Sequence, residues 1–174
     1  MKVLARRFNI YLAFAVLFGL ACGCQTDKKT STAALRVHIE VSPDPTGTSQ
    51  NISVLRSNPV LVTIKREPIL SEANIVSARV IDAMGGFALE IKFDENGTWL
   101  LEQYSAANPG AHFVIFGQWG KTISDGRWLA NPVITRRISN GTLAFTPDCS
   151  REEADQLVLG LSNVAKENHK KMLK

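Results

Sequence analysis

Hydrophobic and polar residues alternate through the first part of the chain in the way that buries one face of a β-strand. Residues 35–41 are apolar at every second position, and this period of two predicts a half-buried strand. A loop rich in proline follows at 43–47 and interrupts the pattern. Residues 52–55 and 60–64 are rich in branched side chains and predict two further strands, after which 71–74 can open a short helix.

A β-hairpin is predicted in the middle of the chain. Two strand-like runs, 75–83 and 87–93, are joined at a glycine pair, residues 85–86. A two-residue turn at this pair sets Val80 opposite Ile91. The same pairing places four apolar side chains of the second run on one face: Phe87, Leu89, Ile91 and Phe93.

A helix and a buried strand follow the hairpin. The Asn-Gly pair at 96–97 predicts a turn, after which Thr98 can cap a helix over residues 99–107. A Pro-Gly pair then ends the helix. Residues 112–116 are almost wholly apolar and predict a buried strand, whereas 118–131 are predicted to be irregular.

A second hairpin and a long amphipathic helix complete the chain. Residues 134–138 and 142–145 flank an Asn-Gly turn at 140–141 and predict two paired strands. Ser150 and Glu153 have the spacing of a capping box, which predicts a helix start. The apolar residues after it recur at intervals of three and four and form one helical stripe: Ala154, Leu157, Val158, Leu161, Val164 and Ala165.

Together these elements predict the fold class. Strands joined mostly by hairpins, with helices between them, are typical of an α+β domain, in which helices pack on one face of an antiparallel sheet. About 150 residues after the N-terminal segment are enough for a single domain with its own hydrophobic core.

The first 24 residues follow a different pattern. Three basic residues near the start precede the almost wholly apolar run 10–21, and small residues then lead to Cys22 and Cys24. A charged start, a short apolar run and a small-residue cleavage site are typical of an export signal. A cysteine at the cleavage point is typical of a bacterial lipoprotein, in which that cysteine is acylated, for example with palmitate. We therefore predict a lipoprotein signal peptide over residues 1–21.

Two alternatives to this interpretation are a plain secretion signal and a transmembrane anchor. A membrane span needs about 20 apolar residues, and this run is shorter, which favours the lipoprotein. Small residues flank both cysteines, and we assign the lipid to Cys22, with Cys24 as the alternative. The lipid would attach the protein to a membrane of the bacterial cell envelope, with the domain facing the periplasm or the exterior.

The sequence divides into four parts on this basis. Residues 1–21 form the signal peptide, and 22–34 are polar enough to act as a tether. Residues 35–66 carry the first strands and resemble nothing that we can name. Residues 67–174 form the main α+β domain.

The charge balance argues against a nucleic acid partner. The chain has 20 basic and 16 acidic residues, and three of the basic ones belong to the signal, which leaves a net charge of only +1. The remaining cations form no long run, apart from a group of lysines near the end: Lys166, Lys170, Lys171 and Lys174. Nucleic acid binding needs a clustered basic face with aromatic residues among the cations.

No motif in the sequence predicts catalysis, a cofactor or a metal. The three histidines, His38, His112 and His169, have neither the spacing of a helical metal site nor an accompanying carboxylate motif. Cys149 has no CxxC partner. A nucleophile elbow and a phosphate-binding loop are both missing. We expect no catalytic residues, no cofactor and no metal, and a protein that is not an enzyme.

Two tryptophans with neighbouring cations form the one candidate binding surface. Trp119 and Trp128 bracket the predicted irregular stretch, with Lys121 and Arg127 beside them. Loop tryptophans with cations are frequent in protein-binding surfaces. The alternative is that both rings fill the edge of the core, and we weigh this alternative slightly higher.

The order of elements resembles the periplasmic head subdomain of SecD and fused SecDF proteins, which assist bacterial Sec protein export. The resemblance covers residues 68–165. The residues that carry it are 85–86, 89–94, 96–97, 109–110, 112–116, 131–134, 141, 145–146 and 150–154. In that family the head lies between transmembrane helices that couple to proton flow, and no comparable apolar run follows the signal here.

The resemblance implies a non-catalytic accessory or binding module that contacts unfolded, exported polypeptides or the Sec machinery. Two alternatives stay open at this point. One is an envelope enzyme whose site assembles from scattered residues. The other is a structural lipoprotein that contacts the cell wall or another membrane protein.

Overall fold

The computed structural model describes residues 31–120 and 126–172. In chain order its elements are β1 (Ala34–Ile39), β2 (Ser49–Val54), β3 (Val60–Lys65), a 3₁₀ helix (Glu72–Asn74), β4 (Ile75–Ala83), β5 (Gly86–Phe93), α1 (Glu95–Ala107), β6 (Phe113–Gln118), β7 (Arg127–Ala130), β8 (Thr142–Phe145) and α2 (Arg151–Met172). The predicted signal peptide, Cys22, Cys24 and Lys121 lie outside the described residues. None of the helices described is long and apolar enough to cross a membrane.

The strands form three antiparallel sheets, with the orders β1-β6-β7, β2-β3 and β4-β5-β8. The predicted α+β class is therefore confirmed, although the strands divide among three sheets where we expected one. The division follows from pairing across the chain, because β1 pairs with β6 rather than with the nearby β2. Helix α2 packs against β4, β1 and the 3₁₀ helix, and α1 packs against β5.

The main core lies between the first and third sheets and helix α2. Its side chains include several that are fully buried: Leu35, Leu89, Ile91, Leu101, Phe113, Ile115, Leu129 and Leu157. A smaller core joins the opposite face of the first sheet to the β2-β3 sheet through four buried side chains: Val54, Val62, Ile64 and Val114. The first strands of the chain therefore belong to the packed fold, on both faces of the first sheet.

The β4-β5 hairpin forms as predicted, but its register differs from the prediction by two residues. Ala83 pairs with Gly86, so the turn lies at Met84-Gly85, and Val80 faces Leu89 instead of Ile91. Gly85 has a φ of +82°, which favours glycine over any residue with a side chain. Since side chains alternate with a period of two, a shift of two residues leaves the same side chains on the core face.

Helix α1 begins earlier than predicted. The Asp94 side chain caps it by accepting a hydrogen bond of 2.6 Å from the Gly97 N–H. The Asn-Gly pair therefore lies inside the first turn, and Thr98 is not the cap. Gly97 also allows a close approach, because a Cβ there would lie 2.9 Å from the Phe93 Cβ.

Two segments after β6 differ from their predicted secondary structure. Part of the stretch predicted to be irregular forms β7, which pairs with β6. Residues 134–138, predicted as a strand, instead cross to α1, where the Ile138 N–H donates to Ser105 Oγ at 2.9 Å. At the start of this crossing, the Ile134 N–H donates to the Ala111 carbonyl at 2.8 Å. With its backbone groups engaged by loop and helix, the segment cannot form a hairpin with β8.

Helix α2 matches its prediction closely. The Glu153 N–H donates to Ser150 Oγ at 3.2 Å, and the Ser150 N–H donates to the Glu153 carboxylate at 2.8 Å, which is a capping box. Ala154, Leu157 and Leu161 are buried, whereas the stripe becomes half-buried towards the C-terminus. The N-terminal half of the helix therefore supplies most of its contribution to the core.

Candidate functional site

The two tryptophans of the predicted surface pack in different cores, Trp119 in the main core and Trp128 against the smaller one. Trp119 is only 6% exposed, and the Arg127 guanidinium lies over its ring at 4.8 Å from the centroid. Trp128 is half-buried, and its ring meets His38 edge-on at 5.2 Å and Phe116 at 5.3 Å. We call these five residues, in their two separate groups of contacts, the tryptophan cluster. Their burial favours the alternative in which the rings fill the edge of the core.

The cation of this cluster already has a partner. Arg127 forms an ion pair with Glu153, the residue that completes the capping box of α2. The hydrogen bond from Arg127 lowers the pKa of the Glu153 carboxyl. Arg127 therefore connects β7 to the start of α2, and Glu153 compensates its charge, although its Nε is buried with no hydrogen-bond partner among the described residues.

Cys149, next to the start of α2, lies in surroundings that favour its protonated thiol. Burial and the neighbouring Glu153 carboxylate raise the pKa of its thiol to about 11. Because the thiolate is the reactive form, a raised pKa weakens Cys149 as a nucleophile at neutral pH.

The structure places the three histidines apart. His38 Nδ1 lies 2.9 Å from the Lys65 carbonyl, so that nitrogen carries the proton, and burial lowers the pKa of His38. His112 Nδ1 pairs with Glu40 at 2.5 Å, where β1 ends and β6 begins. His169 is exposed on α2. In the parts of the chain that the structure describes, no three acidic, histidine or cysteine side chains are grouped to hold a metal ion.

Sequence reasoning missed a groove beside β8. It has a volume of about 630 Å³ and lies between β8 and the crossing segment 132–140. Phe113, Ile134 and Leu143 are the buried apolar residues of its lining, and Val133 on its rim is 50% exposed. We call this feature the β8 groove. Its signal in the sequence is weak, since the crossing segment has the composition of a strand.

The charges around the β8 groove are unequal. Glu90 lines it but pairs with Arg79 at 2.6 Å, and Arg137 pairs with Glu102. Arg136 also lines the groove, is exposed, and has no acidic partner among residues 31–120 and 126–172. The groove therefore carries an uncompensated positive charge at its rim.

The end of the predicted tether is held on α2. Asn163 donates to the Ser31 carbonyl at 2.9 Å. Close by, a Cβ at Gly160 would lie 2.6 Å from the Ala33 Cβ and 2.8 Å from its backbone nitrogen. Glycine at this position lets the chain pass directly over the helix before it enters β1.

Comparisons with known proteins agree with this fold. A family model of the SecDF P1 head subdomain matches residues 48–165. A solved structure of SecDF, a membrane component that enhances protein export, is 20% identical with a TM-score of 0.52, over 76% of this chain and 63% of that one. Another, of SecDF in its super-membrane-facing form, is 19% identical with a TM-score of 0.52, over 76% of this chain and 19% of that one. No curated protein matches the sequence.

These comparisons carry different weight. At about 20% identity the two structures show a shared fold alone, and this chain spans less than two thirds of either. The family model, in contrast, covers well over half of the chain, from the end of the first loop to the middle of α2. The resemblance noted in the sequence is therefore confirmed, but the match begins at residue 48, so β2 and β3, which we had placed outside it, belong to the matched region. The chain belongs to the SecDF P1 head subdomain family.

Proposed function

We propose that this protein is a SecD-like accessory module of bacterial protein export, which contacts exported polypeptides and the Sec machinery. The family match over residues 48–165 is the observation that supports this proposal most strongly. One of the similar structures is of a membrane component that enhances protein export. The role that we propose is non-catalytic, in line with the export accessory role of the similar structure.

In this proposal a lipid on Cys22, or alternatively on Cys24, holds the domain at a membrane of the cell envelope. The charged start, apolar run and small residues before the two cysteines support the lipid. Ser31 is held on α2, and eight residues lie between it and Cys22, a span of nine residue steps. An extended chain of that length reaches about 30 Å, so the domain would stay close to the membrane surface.

Labelling with fatty acid tests the anchor. Cells that express the protein are grown with labelled palmitate, and the protein is compared with Cys22→Ser, Cys24→Ser and the double variant. The expected result is label on wild type and on Cys24→Ser, and none on Cys22→Ser or on the double variant. If Cys22→Ser is labelled and Cys24→Ser is not, Cys24 is the acylated residue. Label on the double variant would contradict the assignment.

Binding of unfolded polypeptide tests the proposed activity. The full-length protein in detergent is titrated with an unfolded secretory protein and with the folded form of the same protein. Weak binding of the unfolded form alone is expected, because a small domain offers limited apolar surface and ordering a flexible chain costs free energy. Failure to bind at high micromolar concentration would favour a structural lipoprotein, and reproducible turnover would favour an enzyme.

A further inference from the structure

The outer edge of β8 carries backbone groups with no partner. The Phe93 N–H donates to the Gly141 carbonyl at 2.9 Å, which sets the hydrogen-bonding phase between β5 and β8. In an antiparallel pair the bonded positions alternate, so Thr142 and Ala144 direct their N–H and C=O groups away from β5. Asn140 Oδ1 accepts from the Thr142 N–H at 3.1 Å. Both groups of Ala144 have no partner in the described parts of the chain.

The β8 edge has only one of the features that normally prevent pairing with another strand, which is its short length of four residues. Natural edge strands are protected by being very short, by proline, by charged side chains or by bulges. The opposite edge of the same sheet, β4, has an irregularity between Ile75 and Ser77 and packs against α2. Strand β8 is regular, and its outward backbone groups belong to a threonine and an alanine.

The β8 groove provides space along this edge. Hydrogen bonds to Ala111 and to Ser105 hold the crossing segment away from β8, which leaves the groove open between them. Of its apolar lining, the exposed Val133 and the half-buried Ile138 can contact alternate side chains of an added strand, above the buried Phe113, Ile134 and Leu143. The unpaired Arg136 at the rim favours an acidic side chain there.

We propose that the β8 edge binds an extended, acidic polypeptide segment by strand addition, with the β8 groove receiving its apolar side chains. Main-chain hydrogen bonds to Ala144 supply affinity for any extended chain, and Arg136 supplies the preference for acidic residues. This inference rests on the proposed function and specifies where and how an exported polypeptide would be held.

The test uses two eight-residue peptides, one alternating valine with glutamate and one alternating valine with lysine. Full-length protein in detergent is titrated with each, and the expected result is tighter binding of the glutamate peptide. Ala144→Pro removes the outward N–H without disturbing the pairing with β5, and we expect about tenfold weaker binding. Ala144→Ser retains the N–H and is the matched control, which should bind like wild type.

Two further measurements keep the proposal testable if Ala144→Pro fails to fold. Arg136→Glu should weaken binding of the glutamate peptide and strengthen binding of the lysine peptide. Amide hydrogen exchange at Ala144 should slow when the glutamate peptide binds. Unchanged exchange, or unchanged affinity in a folded Ala144→Pro variant, would overturn the proposal.

The same experiment separates this inference from the proposed function. If wild type and the Ala144→Pro variant bind an unfolded secretory protein equally well, the β8 edge is excluded as the binding site, while the proposal that the protein binds polypeptides stands. If the wild type binds neither peptide nor the unfolded protein, both proposals fail.

Discussion

The tryptophan cluster and the β8 groove differ in how far their binding groups are already satisfied within the protein. In the cluster, the ring of Trp119 is buried, Arg127 lies over that ring, and Glu153 compensates its charge. In the groove, Ala144 directs unpaired backbone groups outwards, and Arg136 has no acidic partner in the residues described. Groups that already have partners gain little from a ligand, whereas groups that contact only water gain a net of about 0.5–1.5 kcal/mol for each new hydrogen bond.

This difference shows that residue type alone does not identify a binding surface. Tryptophan and arginine are enriched at interfaces, and they are equally able to stabilise a core edge by stacking. Threonine and alanine in a short strand attract no attention in a sequence, although the backbone between them can bind a polypeptide. The deciding property is whether the fold has already used the group.

The largest effect should separate the two regions through stability. Trp119→Ala should lower the free energy of unfolding by about 3–5 kcal/mol, because it leaves a cavity in the core. The measurement is denaturant unfolding of the protein carrying Cys22→Ser and Cys24→Ser. Trp99→Ala is the matched control, since that ring is 57% exposed, and it should change stability by less than about 0.5 kcal/mol.

A contrary result would reverse the comparison. If Trp119→Ala lowered polypeptide affinity while costing no more stability than Trp99→Ala, the tryptophan cluster would be the binding surface. The β8 groove would then have only a structural role.

Buried and exposed side chains of helix α2 should also differ in their effect on stability. Leu157→Ala should cost about 2–5 kcal/mol, because its side chain is fully buried among the strands below the helix. Leu159→Ala, two residues away and 58% exposed, is the control and should have little effect. Equal effects of the two substitutions on unfolding would show that the buried face of α2 is assigned wrongly.

Elements with a strong hydrophobic period were predicted well from the sequence. Positions where two neighbouring residues could play the same role were predicted poorly. The stripe on α2 and the core face of β5 were predictable, because period alone decides which side chains face inwards. The cap of α1 was assigned wrongly because Asp94 and Thr98 can both act as caps, and the close packing of Gly97 on Phe93 decides between them.

The candidate site was harder to predict for a related reason. Residues 134–138 have the composition of a strand, and only the positions of Ala111 and Ser105 in the fold direct them elsewhere. The β8 groove exists because of that displacement, so no local pattern could indicate it. Trp119 and Trp128 were visible in the sequence, but their burial depends on strands far away along the chain.

A smaller effect concerns the capping box that positions Glu153 next to Arg127. Ser150→Ala should cost about 1 kcal/mol, because the Glu153 N–H loses its acceptor. Ser150→Asp keeps an acceptor at the cap and should retain most of the stability. Thermal unfolding of both variants measures the difference. A cost for Ser150→Ala larger than that of Leu157→Ala would indicate that the cap, rather than the apolar stripe, holds α2 in place.

The smallest predicted effect is the pH dependence of the tryptophan cluster. Burial lowers the pKa of His38 from 6.5, so below pH 6.5 the unfolded chain binds a proton that the folded protein does not. Stability should therefore fall as the pH drops from 6.5 through the lowered pKa. His38→Gln should remove this part of the slope in thermal unfolding measured at several pH values, whereas His169→Gln, on the exposed part of α2, should keep it. An unchanged slope in His38→Gln would mean that His38 is not held neutral against Trp128, and that this side of the cluster is open to water.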